Sequence, residues 1–359
     1  MRSISLVIRG AILQLSSFTA MLFLFRPYQL MGVKRKVFLV CCFEYCLETV
    51  YFIVIQVLGI SHSKPSSLQL IPVNVINVIG HCLQVYFVTN HFCIRRTRRN
   101  HVKFFLQMTA APFSVLIFAI PVTEIIYPAY NKQGKDGKLL IALFSPLIGV
   151  LLKVLVRVCV QRLYSKCIHP GYSYVLLTPL YFCSAVLFRI LQVDLGSLQS
   201  IAILGIIHGA AEVIERSTMV VIDHICHVIC KRTSAPWGSF RTPRRERLMA
   251  DIAIMSMLYE STAIVSVNGL LYLYQYVYLK DESLLELLQS FAMTTSVQLV
   301  IEWFFTSVSL AIETHYQNMA VMAVWRRRWK RHIFIGNHCC RNSNIMDQYI
   351  PFINCSWAL

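Results

Sequence analysis

A chain of 359 residues with 56% hydrophobic and only 14% charged residues, and a mean hydropathy of +0.58, lies outside the soluble class, where about 25% carry charge. Its formal net charge of +17 does not indicate nucleic acid, because the basic residues fall in short clusters between apolar runs, where they act as topology signals. The fold class read from this is all-α, a polytopic bundle, since helices satisfy their own backbone groups in lipid.

Nine apolar runs are long enough to cross a bilayer, near residues 5–25, 37–60, 70–92, 104–126, 139–160, 174–193, 198–226, 250–278 and 289–314. The count becomes eight if the first run, which contains Arg9, is a signal sequence. Residues 1–314 read as a single transmembrane domain and 315–359 as a basic cytoplasmic tail. Loop charge supports this division. The loops after the odd-numbered spans, together with the tail, hold 23 Lys/Arg against 5 in the alternate loops. That is the positive-inside pattern, with the N-terminus out and the C-terminus in. It also requires 198–226 to cross.

Several spans carry polar stripes. In the second, Glu44 and Glu48 lie one turn apart; in the third, Asn74, Asn77, His81 and Gln84 share a face. Lys153, Arg157 and Arg189 fall toward span ends, where long side chains can snorkel to headgroups. The seventh span holds His208, Glu212, Glu215 and Arg216, with Gly205 and Gly209 spaced for close helix approach. Glu260 and Asn268 lie in the eighth. The ninth repeats the theme with Thr295, Gln298, Glu302, Thr306, Ser309 and Glu313, three or four apart. In the tail, Trp325 and Trp329 interleave with basic residues, as in a helix lying along the inner leaflet.

Intramembrane ionisable groups mark ion pathways more often than chance, although polar residues also serve as interhelical glue. The candidate site is therefore Glu212, Glu215 and Glu302, lined by Glu48 and Glu260, with Arg216 as counter-ion and His208 as a proton-accepting neighbour. Arg216 is expected to meet an acid on another helix. Asp223, Cys226, His227 and Cys230 form a weaker metal candidate that matches no established zinc spacing.

No HExxH, GxSxG, GxxxxGK or GxGxxG signature is present, so no catalytic motif marks an enzyme. The sequence thus reads as a cation- or proton-coupled transporter or carrier. The alternatives are a signalling receptor and a structural or lipid-interacting membrane protein. No organic cofactor is expected, only protons or cations. The expected partners are the bilayer and anionic inner-leaflet lipids at the basic loops, with no nucleic acid. The plasma membrane is the default compartment, and the sequence leaves oligomeric state open.

Overall fold

The computed structural model describes residues 2–25, 27–58, 67–93, 98–161, 168, 170–231, 243–279, 283–315 and 321–342. Among these residues there are no strands. The helices are α1 (Arg2–Leu24), α2 (Lys34–Val57), α3 (Ser67–Cys93), α4 (Arg98–Pro121), α5 (Tyr127–Asn131), α6 (Lys135–Gln161), α7 (Thr178–Val193), α8 (Leu198–Lys231), α9 (Pro243–Tyr274), α10 (Leu284–His315) and α11 (Val321–Asn342). Short 3-10 segments cover Pro27–Leu30 and Pro170–Leu176, and π turns cover Val122–Ile126, directly after Pro121, and Gln275–Leu279.

Seven helices among the described residues are long and apolar enough to cross a membrane: α2, α3, α4, α6, α8, α9 and α10. These are consistent with a multi-pass membrane protein. The side chains of α10 and α2 agree, because their buried faces carry polar groups and their exposed faces apolar ones. On α10 the buried residues are almost all polar, from Thr294 and Thr295 through Gln298, Glu302, Thr306 and Ser309 to Glu313. Its exposed face carries Val300, Trp303 and Phe304. On α2, Glu44 and Glu48 are buried while Phe43, Leu47, Val50 and Ile53 are exposed. Exposed apolar faces of this size need an apolar surrounding.

The run at 174–193 differs from the others. It begins with the 3-10 turn and continues as α7, a helix of only 16 residues with Pro179 in its first turn. Every α7 residue except Pro179 is buried. Neighbouring helices therefore enclose α7 beyond Pro179, and its apolar composition serves protein packing.

The chain divides into two compact units. The first contains α1–α3 and the beginning of α4, and it holds a polar seam. Gln84 Nε2 donates to Glu44 Oε1 at 3.0 Å, Ser17 Oγ donates to Gln84 Oε1 at 3.0 Å, and Gln14 Nε2 donates to Asn77 Oδ1 at 2.9 Å. The stripes read separately on the second and third spans thus meet each other and α1. Gly80 makes room for the Glu44 carboxyl, which a β-carbon at that position would overlap. Gly80→Ala should push Glu44 off Gln84 and lower stability by about 1–3 kcal/mol, the range for a lost buried hydrogen bond. Thermal unfolding in detergent would measure this, and because Glu44→Ala removes the same hydrogen bond, the losses of Gly80→Ala and Glu44→Ala should not add in the double variant. Full additivity would mean that Gly80 matters for another reason.

The second unit contains the rest of α4, α5–α10 and the start of α11. Its centre is α7 packed on α9, and its most extensive helix pair is α8 with α10. Gly209 sits against the Phe305 ring, and Gly205 against Ile301 and Gln192. Small residues at this spacing let the α8 and α10 backbones approach. At one end of the unit, Lys138 Nζ pairs with Asp194 at 3.1 Å, and the buried Tyr130 hydroxyl donates to the Leu191 carbonyl at 3.0 Å. Burial, reinforced by the Asp194 carboxylate, raises that phenol above its ordinary range.

Candidate functional site

The charged groups of the second unit fall into layers along α8. His208, Glu212, Arg216 and Asp223 lie on one side of this helix, and from first to last they span about 22 Å at 1.5 Å per residue. Each layer draws one or more partners from the surrounding helices.

The first layer centres on Arg189 of α7, which is only 1% exposed. Its Nη2 lies 2.6 Å from Glu302 Oε2 on α10 and 3.1 Å from Glu260 Oε2 on α9. Its Nη1 donates to Gln192 Oε1 at 2.9 Å, and Gln192 in turn donates to the Ile201 carbonyl at 2.7 Å. Thr306 Oγ1 donates to Glu302 Oε1 at 3.3 Å. His208 of α8 stacks on Phe188 at 3.7 Å, with its Nε2 3.9 Å from Glu260 Oε1. Four helices therefore each contribute one titratable or charged group to this layer.

The second layer centres on Arg216. Its Nη2 donates to Glu212 Oε1 at 2.7 Å, and its Nη1 lies 3.8 Å from Glu313 Oε1 of α10. Ser256 of α9 also donates to Glu212 Oε1, at 3.3 Å. Lys153 of α6 is buried, with its Nζ 4.9 Å from the centre of the Tyr181 ring. These groups and Glu215 line a cleft in which only about 10 Å³ is open to the centre of a water molecule. That is room for one water or a bare small cation.

The third layer is narrower. Arg157 Nη2 donates to Asp223 Oδ1 at 3.2 Å, and Gln161 Nε2 donates to Asp223 Oδ2 at 3.3 Å. Arg157 and Asp223 are both almost completely buried.

Charge within the layers is uneven. Glu260 and Glu302 share the permanent cation Arg189, with His208 beside them. Glu212, Glu215 and Glu313 line a cleft whose permanent cations are Lys153 and Arg216. Among the described residues, each of these layers holds one carboxylate more than it holds Lys or Arg. Isolated charges in a low dielectric cost several kcal/mol, so a proton, a cation or water must meet each surplus.

The candidate residues are thus distributed rather than gathered at one point. Glu260, Glu302 and His208 occupy the first layer; Glu212, Glu215 and Arg216 occupy the second. Glu48 belongs to the other unit, where it is buried on α2 against Gly10. Arg216 does meet an acid on another helix, Glu313 of α10, and in addition has a shorter contact to Glu212, one turn back on α8. An Arg four residues after a Glu on one helix has a local partner within reach.

A correction concerns Lys153, Arg157 and Arg189. Position near span ends suggested snorkelling, yet they are 7%, 1% and 1% exposed. Their own helices lie against α8 or α9, so the nearest compensation for each is an acid inside the unit. The clue in the sequence was numerical, since one midplane arginine is too few for so many carboxylates.

For the metal candidate, Asp223 is held by Arg157 and Gln161, while the side chains of Cys226, His227 and Cys230 lie outside the described residues. Among the described residues no group of three or more His, Cys, Asp or Glu is placed to hold a metal. No protein-family model, curated protein or solved structure matches the chain.

Proposed function

We propose that this protein is a membrane carrier that couples transport to protons or a small cation, working through the first two charge layers. The observation that carries the reading is the matched surplus, one carboxylate beyond the permanent cations in each of two adjacent layers. A proton or cation arriving at Glu302 or at the Glu212–Glu215 cleft balances its layer; its departure leaves a buried negative charge that favours a different packing of α8 against α10. His208 Nε2 stands beside this layer, 3.9 Å from Glu260 Oε1. The narrow cleft supports a proton or dehydrated small cation at this point over a bulky solute. The membrane topology that completes the reading has nine crossings, with the N-terminus out and the C-terminus in, as the loop charges indicate.

The test is flux in vesicles containing the purified protein, under imposed proton, sodium and potassium gradients. Wild type should dissipate at least one gradient. Glu212→Gln and Glu302→Gln should each reduce that flux at least tenfold, about 1.4 kcal/mol of lost coupling, while eluting as folded protein. Wild-type flux in both variants would assign these carboxylates to helix packing. Absence of any flux in wild type would favour the receptor reading.

A further inference from the structure

We propose that the start of α11 is a docking helix for an acidic bilayer surface, fixed in orientation by a buried histidine–carboxyl contact with α9. The helix has two sharply different sides between Val321 and Ile333. Measured from Val321 at about 100° per residue, the buried Val321 and His332 lie within about 20° of each other. Beside this buried face Trp329, Met322 and Ile333 cluster between about 80° and 120°, and Arg326, Lys330 and Arg327 follow between about 140° and 240°, on the side away from it. All six are exposed. An apolar edge with a tryptophan, adjoining a cationic edge, is the arrangement that seats a helix between acyl chains and headgroups.

Two further observations place this face at a membrane surface. First, α10 is a candidate span that ends at His315, six residues before Val321, so α11 starts within about 20 Å of a span end. Second, His332 Nε2 lies 3.2 Å from Asp251 Oδ1, with both side chains fully buried. Asp251 lies eight residues into α9, another candidate span, about 12 Å from its start. This pair holds α11 against α9 and turns the apolar and cationic edges outward together. The cations select anionic headgroups by charge, at about fivefold in affinity for each Lys or Arg near the surface. Because α9 also carries Ser256 and Glu260, lipid engagement of α11 acts on the helix that touches the first and second charge layers.

The experiment uses the full chain in nanodiscs of phosphatidylcholine alone or with about 30% phosphatidylserine, a typical acidic surface. Hydrogen exchange is followed over residues 321–336. Protection should rise about tenfold in the acidic discs, and should return to the neutral-disc level in high salt and in the Arg326→Gln/Arg327→Gln/Lys330→Gln variant. Equal protection in both disc compositions overturns the proposal, as does a rise that survives high salt or the triple substitution. Since His332→Ala can itself loosen the packing of α11, the charge-only variant remains the deciding measurement. Neither readout depends on transport, so its failure is distinct from failure of the carrier reading.

Discussion

Arg189→Gln should destabilise the protein by about 3–5 kcal/mol, the loss expected when one partner of a buried ion pair is removed. The guanidinium is shared by Glu260 and Glu302 and is braced by Gln192, so its removal leaves two carboxylates facing each other without their cation. Ordinary interhelical polar contacts in membranes average only about 0.6 kcal/mol, so the two interpretations differ several-fold in magnitude. Arg189→Gln/Glu302→Gln should recover about half the loss, because it removes one of the two carboxylates left without a cation and leaves Glu260 facing His208. Reversible unfolding in mixed micelles would supply the double-mutant cycle. A single-variant loss near 0.6 kcal/mol, with no recovery in the double variant, would reduce the first layer to ordinary helix packing.

Gly209→Leu should have the second large effect, about 3 kcal/mol, by overpacking the seam between α8 and α10. Even a β-carbon at this position would overlap the Phe305 ring, and part of the obstruction lies close to the Phe305 backbone. Rotation of the ring alone therefore cannot clear the space. The helices must separate, which also moves Arg216 away from Glu313 and Arg189 away from Glu302. Phe305→Ala should restore much of the stability of Gly209→Leu by returning the volume. If Gly209→Leu proves neutral, the seam is loose enough to accept a branched side chain, and close approach is not what joins the two helices.

The two predictions address different causes of the same arrangement. Arg189 tests whether charge is the reason the helices converge, and Gly209 tests whether shape allows them to. A chain in which both sites tolerate change would have layers that merely coincide. Substitution outcomes at Gly80 in the other unit provide an independent measure of how strictly its polar seam is built.

Much of this protein was determined by its sequence alone. Hydropathy identified a helical chain with several spans' worth of apolar helix, because a span needs about 20 apolar residues and a bilayer accepts no open backbone. Helical periodicity placed Gln298, Glu302, Thr306, Ser309 and Glu313 on one face, and that face is the buried one. The Gly205 and Gly209 spacing correctly marked a helix contact, although it could not name Phe305 and Ile301 as the neighbours.

Partner choice was decided by tertiary structure. Arg189 and Lys153 looked like residues able to reach the headgroups, since depth along one helix says nothing about which helices enclose it. Once α7 is enclosed beyond Pro179, Arg189 has no route to the surface and its charge is met by Glu260 and Glu302. The packing around α8 divides one apparent carboxylate cluster into two layers, and Glu48 belongs to a different unit. Periodicity fixes which residues share a side of a helix; only packing fixes what that side meets.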